Sequence, residues 1–365
     1  MKTSDFYFDL PPGLIAQSPP EVRGSSRLLV LHPGPEEENL PPVWEHRRID
    51  HLTDYLQDTL VVFNDTRVRR ARIFAYPQPP APGSAGEPGH GRVEFLLLER
   101  QGEDWLALAS RAKRQRPGKV FFLEGGIRGE ILPRREGEIG EAGGEGNRTG
   151  LRGLRFTPPL TEDYLEKHGH IPLPPYIRRP DTDQDRERYQ TVYARETGSA
   201  AAPTAGLHFT PELMDRVRER AWGVAWVTLH VGLGTFLPVR SPAVEDHRMH
   251  REVYTIRPEE AALINRARRE GKKILAVGTT TLRALESACR RGEVAAGEGS
   301  TSIFIYPGYR FQMVDRLLTN FHTPESTLLM LVSALAGRRR ILAAYAEAIK
   351  EGYRFFSFGD AMLIL

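Results

Sequence analysis

From about Arg67 to Thr157 the apolar positions come in short runs, RVEFLLLER, WLALASRA, KVFFLEG and IRGEILP, separated by Gly- and Pro-rich stretches. No helical spacing is sustained through them, so the segment reads as all-β. Its two longest connections, YPQPPAPGSAGEPGHG and REGEIGEAGGEGNRTG, are low in complexity and read as mobile hairpin tips. Beyond about Thr161 the texture changes. WVTLHV and VYTI read as strands, Pro258–Glu270 as a helix, KKILAV as a strand and Thr281–Arg290 as a helix. SIFIY and RLLTNF read as strands, Pro324–Ala336 and Arg340–Lys350 as helices, and YRFFSF as a last strand. Alternation of this kind needs crossovers and predicts a parallel or mixed sheet, open or closed into a barrel. Thr210-Pro211 and Thr323-Pro324 each place a capping hydroxyl before a Pro suited to a first helical turn. The first 66 residues carry SRLLVLH and VVF and lack the β texture. They are assigned with 160–365 to an α/β domain into which 67–159 is inserted; three sequential units are the alternative.

Composition narrows this picture. The chain has 365 residues, 50 Lys and Arg against 47 Asp and Glu, and a single Cys. Two domains fit that length. One Cys excludes a disulfide framework and any Cys-only zinc site. A net charge of +3 with a pI near 8.9 permits a basic patch without making the chain a polycation. MKTSDFYFDLPPG lacks the apolar core of a signal peptide, and Thr327–Ala336 is too short to span a bilayer, so a cytoplasmic protein is expected.

In α/β sheets functional groups gather beyond the carboxyl ends of strands. Four polar clusters follow predicted strands here: Asn64-Asp65-Thr66, His230 with Gly232, Gly278-Thr279-Thr280-Thr281, and Asn320 with His322. In VGTTTLRALES a strand, a Gly turn and a helix start form an anion or adenosine seat, without the Lys of a P-loop. Plain capping by Thr280 or Thr281 is the alternative, as is a surface pair of Arg283 with Glu286. HVGLGTF lacks the third Gly of a dinucleotide fingerprint. Gly232 and Gly234 still admit close approach of a flat ligand, unless they only form a bulge. SAAAPTAGLHF offers His208 as a base and Phe209 as a stacking ring; a structural role for His208 is the alternative. Asp246-His247-x-x-His250-x-Glu252 lacks a zinc-binding helical spacing, and no metal is expected. The basic clusters are Arg67–Arg72, RAKRQRPGK with Arg111, Lys113 and Arg114, and Arg338–Arg340. They are candidate phosphate contacts or solvated faces.

Taken together, several long motifs resemble the S-adenosylmethionine:tRNA ribosyltransferase-isomerase family of queuosine biosynthesis. They are FYFDLPPGLIAQSPPEVRGSSRLLVL, FNDTRVRRARI, RYQTVYARETGSAAAPTAGLHFT, VTLHVGLGTFLPV, HRMHREVY, VGTTTLRALES, LLTNFHTPESTLLMLVSAL and YRFFSFGDAML, spread from Ser4 to Leu363. The departures are the Gly/Pro-rich β-domain loops and HPGPEEENLPP. The resemblance implies a barrel-like α/β main domain with an inserted small antiparallel β-barrel. It implies S-adenosylmethionine as a co-substrate giving up its ribosyl carbons, with no prosthetic group. The acceptor it implies is 7-aminomethyl-7-deazaguanine at the tRNA wobble position, the products being epoxyqueuosine, adenine and methionine. Side-chain chemistry then suggests roles. His208, His230 or His322, with His250 behind them, would be the base. Asp65 or Asp360 would orient the amine or the ring-opening hydroxyl. Gly232, Gly234, Gly278, Thr279, Thr280 and Arg283 would seat the donor, with Arg283 on its carboxylate. Asn64, Asn320, Tyr189 and Phe209 would contact the substrates, the two rings by stacking. Arg69, Arg111, Lys113 and Arg114 would grip the anticodon arm. Nothing in the sequence demands a dimer, and a monomer is expected.

Overall fold

A computed structural model describes residues 1–32, 34, 43–79, 91–133, 150–232 and 241–365. The bulk of both low-complexity hairpin tips, most of HPGPEEENLPP, and Gly234 lie outside the described residues. The chain divides into two compact units. One comprises Met1–Arg67, Pro174–Thr197 and Ala202–Leu365; the other comprises Val68–Leu173 and Gly198–Ala201. The second therefore runs past the expected boundary at 159. Leu160, just before the helix Glu162–His168, and Leu165, on it, are buried in its apolar core.

The first unit is built on a nine-stranded mixed sheet. Its strands begin, in spatial order, at Gly297, Glu252, Gly223, Thr59, Lys273, Arg316, Ala361, Arg27 and Trp44. Thr59–Asn64 is buried at every position and pairs in parallel with Gly223–Leu229 on one side and Lys273–Val277 on the other. Lys273–Val277 in turn pairs in parallel with Arg316–Asn320. A strand covered on both faces reads as an unbroken apolar run, which is why VVF carries no alternation. Phe63 packs edge-on to Tyr193 and Phe209 and stacks on Trp226 at 5.2 Å. Helix Pro211–Arg220 starts as expected: the Thr210 hydroxyl accepts from the Leu213 amide at 3.2 Å and Pro211 opens the first turn.

Three segments depart from the sequence expectation. The helix after RLLTNF begins at Thr327, capped by Ser326, and not at Pro324, because Glu325 has φ of 57°. SIFIY lies outside the ladder, and its place at the sheet edge is taken by Gly297–Thr301. YRFFSF folds into a turn with Phe356 at φ 72°, so the last strand is Ala361–Ile364. Phe355 is drawn into a ring cluster with Phe321 and Tyr345 instead of alternating across a sheet.

The second unit holds a six-stranded antiparallel sheet. Its strands run, in order, Arg72–Ala75, Val93–Gln101, Asp104–Ala109, Leu151–Thr157, Arg128–Ile131 and Val120–Phe122. Reciprocal 2.8 Å backbone hydrogen bonds between Tyr76 and Phe122 join its two ends into a barrel. Closure removes the exposed edges an open sheet of this size would carry. Phe95, Trp105, Phe121, Ile131, Leu154 and Phe156 fill the interior. Gly129 has no side chain because Phe121 lies across it; a Cβ there would sit 2.1 Å from the ring.

Candidate active site

Parallel pairing puts the carboxyl ends of four neighbouring strands, Gly223–Leu229, Thr59–Asn64, Lys273–Val277 and Arg316–Asn320, on one edge of the main sheet. The four polar clusters are thereby gathered in one place. Asn64 links three of these ends. Its amide nitrogen donates to the Leu229 carbonyl at 3.0 Å and to the Thr280 hydroxyl at 3.2 Å. Its oxygen accepts from the amides of Thr66 and Leu229. With all four bonds made, Asn64 is a clamp on the framework.

Asp65 is fully buried. Oδ1 accepts from the Thr228 hydroxyl at 2.6 Å, and Oδ2 faces Arg195 at 3.3 Å and Arg257 at 3.5 Å. The two guanidinium groups are the cationic partners of this buried carboxyl group. Thr66, the next residue, places its hydroxyl 2.7 Å from Nδ1 of half-buried His230 and 3.5 Å from the Glu196 carbonyl. The Thr66 hydroxyl thus holds the His230 ring through Nδ1.

His208 and His322 are enclosed. His208 Nδ1 lies 2.8 Å from the Ser26 hydroxyl and Nε2 lies 3.1 Å from the Asn320 amide nitrogen. Burial pushes its pKa down to about 4, with the Arg354 charge adding to the effect. His322 Nε2 is 2.9 Å from the Thr319 hydroxyl, and burial pushes that ring down to about 3. Both are neutral, structural imidazoles at physiological pH.

Gly278 opens helix Thr279–Ala288 with φ 90°, a conformation that suits Gly, and its amide donates to the Leu318 carbonyl. Arg283 and Glu286, on that helix, do not form a surface pair. Both are buried. Arg283 is ion-paired with Glu252, and Glu286 accepts from the amides of Gln312, Met313 and Val314 and from the Tyr309 hydroxyl. Glu252 also accepts from the Gly232 amide at 3.3 Å. The sequence singled out Glu252 only in a metal pattern; among the described residues no group of three His, Cys, Asp or Glu could hold a metal ion. Cys289 closes the helix as its cap, and burial pushes its thiol up.

Comparison with known proteins decides the family. The model of the queuosine biosynthesis protein family matches residues 3–364. The chain belongs to that family. It is 48% identical over 372 residues to the S-adenosylmethionine:tRNA ribosyltransferase-isomerase of Treponema denticola, and 48% identical over 370 residues to that of Clostridioides difficile. Each alignment covers 100% of both chains. A crystal structure of S-adenosylmethionine tRNA ribosyltransferase from Thermotoga maritima is similar with a TM-score of 0.53 and 34% identity, covering 99% of this chain and 100% of that one.

Within this family member, several expected site residues have other work. Asp360 accepts from the amides of Arg27 and Arg354, both at 2.8 Å, and ties the final turn to the strand Arg27–Leu31. Phe209 is wholly enclosed by Phe63 and Tyr193, and Tyr189 is buried against Phe358, so neither offers a ring face for stacking. Arg69 is paired with Glu162 at 2.9 Å and Arg72 with Glu94 at 2.8 Å, which leaves little of the Arg67–Arg72 run as open charge. The RAKRQRPGK loop differs. Arg111, Lys113, Arg114 and Arg116 are exposed around a short turn, Ala112–Arg114. Beneath it the buried guanidinium of Arg152 donates to the carbonyls of Ala112, Gln115 and Leu151. Ser26, Arg195 and Thr228 lie within the quoted motifs and Arg257 just beyond one, but none was singled out as a site residue, and only their contacts with His208 and Asp65 bring them to notice.

Proposed function

We propose that this chain transfers and isomerises the ribosyl moiety of S-adenosylmethionine onto 7-aminomethyl-7-deazaguanine at the wobble position of tRNA. It would act as a cytoplasmic monomer, releasing adenine and methionine and leaving epoxyqueuosine in the tRNA. The observation that carries this reading is near-50% identity, over the whole of both chains, to relatives bearing the transferase-isomerase name. No helix among the described residues is long and apolar enough to cross a membrane, which accords with an enzyme acting on tRNA.

The chemistry needs a base of modest strength, since the sulfonium acidifies the neighbouring CH₂. His230 fits best. It is half-buried where His208 and His322 are enclosed, and Thr66 fixes its ring. Loss of that proton lets adenine leave and the ribose open. The acceptor amine attacks in its neutral form, and the sulfur ylide then closes the carbocycle as methionine departs and the epoxide forms. Asp65, with its two arginines, orients the groups around His230 through Thr228 and Thr66 without touching the reacting atoms itself. Gly278, Thr279 and Thr280 seat the donor at the helix start. Arg283, half-neutralised by Glu252, keeps a buried Nη2 with no hydrogen-bond acceptor, suited to the methionine carboxylate. The exposed Arg111–Arg116 loop supplies phosphate contacts to the tRNA.

The test is incubation with S-adenosylmethionine and tRNA carrying the aminomethyl-deazaguanine. Equal amounts of free adenine and methionine, with the ribosyl-derived mass gained by the tRNA, support the reading. Methyl transfer to tRNA, or binding without adenine release, overturns it.

A further inference from the structure

Asn320 stands at the carboxyl end of Arg316–Asn320 and is 2% exposed. Its amide nitrogen donates to the Phe356 carbonyl at 3.1 Å and meets His208 Nε2 at 3.1 Å. A carbonyl only accepts, so Phe356 fixes which end of the amide is nitrogen. Both amide hydrogens are then spent, His208 Nε2 is an acceptor, and His208 Nδ1–H donates to Ser26. What remains is Oδ1. It is buried and has no hydrogen-bond partner. Leaving a buried acceptor unpaired is costly, and native proteins keep such groups where a ligand or water completes them.

A second observation points to the same wall. The hydroxyls of Thr191 and Tyr193 are also buried without partners. Both residues flank Gly206, where a Cβ would sit 2.1 Å from the Tyr193 hydroxyl and 2.7 Å from Thr191 Cγ2. Gly206 and His208 belong to one short turn, Thr204–His208. Residues that carry unsatisfied polar atoms thus pack on that turn, Asn320 at His208 and Thr191 and Tyr193 at Gly206, beside Gly278, whose own missing Cβ would lie 3.7 Å from Ala205.

We propose that Asn320 Oδ1 accepts a hydrogen bond from the amino group of a bound heterocyclic base, and that His208 is the residue that aims it. The proposal rests on the function above and adds to it a specificity determinant and a positioning role for a histidine that is too enclosed to be the base. The amino group has two sources, the adenine of S-adenosylmethionine and the deazaguanine of the tRNA. Proximity to Gly278 favours adenine.

Binding is measured by calorimetry, independently of turnover. The wild-type protein is titrated with S-adenosylmethionine and with its 6-desamino counterpart. In a second arm it is titrated with anticodon stem-loops whose target base keeps or lacks its 2-amino group. The expected result is a loss of roughly tenfold or more on removing the adenine amino group. Asn320→Leu should abolish that discrimination. His208→Gln, which keeps an acceptor for the Asn320 amide, should retain it, and His208→Leu should shrink it. Discrimination only in the stem-loop arm keeps the acceptor role and moves it to the tRNA base. Equal binding in both arms by the wild-type protein overturns the proposal, whatever the variants do. Because adenine release is assayed separately, failure here leaves the transferase reading standing, and failure there is recognised without this titration.

Discussion

At the scale of single residues, the structure separates groups that do chemistry from groups that hold it in place. Asp360 illustrates the second kind: two backbone amides converge on one carboxylate, and both are partly buried. Asp360→Asn turns one accepting oxygen into a donor facing a donor. It should cost about 1–3 kcal/mol and lower the thermal unfolding temperature, while affinity for S-adenosylmethionine in the folded fraction stays as it was. His208 and His322 lead to a pH prediction. Their folded pKa values, about 4 and about 3, lie below the ordinary 6.5, so the unfolded chain binds more protons than the folded one as pH falls. Their contribution to stability is complete above about 6.5 and declines progressively below it, toward pH 4 and then 3. Denaturant midpoints measured from pH 7.5 to 5 should fall, and His322→Gln should flatten that slope. An unchanged slope in the variant would remove His322 from the account.

At the scale of elements, much was legible because polar residues closing an apolar run mark strand ends. Asn64, His230, Gly278 and Asn320 were all found that way. Their partners were not, since contact at a sheet edge ignores sequence distance: Ser26 lies 182 residues from His208. SIFIY and YRFFSF misled for a related reason. An apolar, β-branched or aromatic run shows that a segment is buried, but only tertiary packing decides whether a ladder or a ring cluster buries it. In the turn Thr204–His208, Gly206 lets the Tyr193 hydroxyl approach the backbone. Gly206→Ala should displace Tyr193 or the turn, weakening donor binding at least as much as it lowers stability. The Thr66–His230 pair gives the sharper test. Thr66→Val keeps the shape and removes the hydroxyl. If His230 is the base, this should lower turnover by roughly tenfold, whereas His230→Gln should cost roughly 10²–10⁴ with donor affinity retained. A variant of His230 that loses only donor affinity would assign it to binding.

At the scale of the whole molecule, the net charge of +3 says little about RNA, because many cations are already paired within the fold. Arg69, Arg72, Arg155, Arg179 and Arg283 each face a carboxylate. What counts is charge left exposed, and the loop of Arg111, Lys113, Arg114 and Arg116 presents a close run of it. The loop is also well anchored, since a buried arginine holds its carbonyls from below. A cation already positioned loses little side-chain and loop freedom on meeting phosphate. Replacing Lys113 and Arg114 by Ala should therefore weaken tRNA binding evenly across sequences and lower the slope of log affinity against log salt by up to about 2, near one for each phosphate contact removed. S-adenosylmethionine affinity should not move. Arg152→Met, which leaves the exposed charges in place and removes their support, should weaken tRNA with a smaller change in slope, because it disorders contacts without deleting them. If the Lys113/Arg114 variant keeps the wild-type slope, the tRNA is held elsewhere, and the exposed cations of this loop are a solvated face.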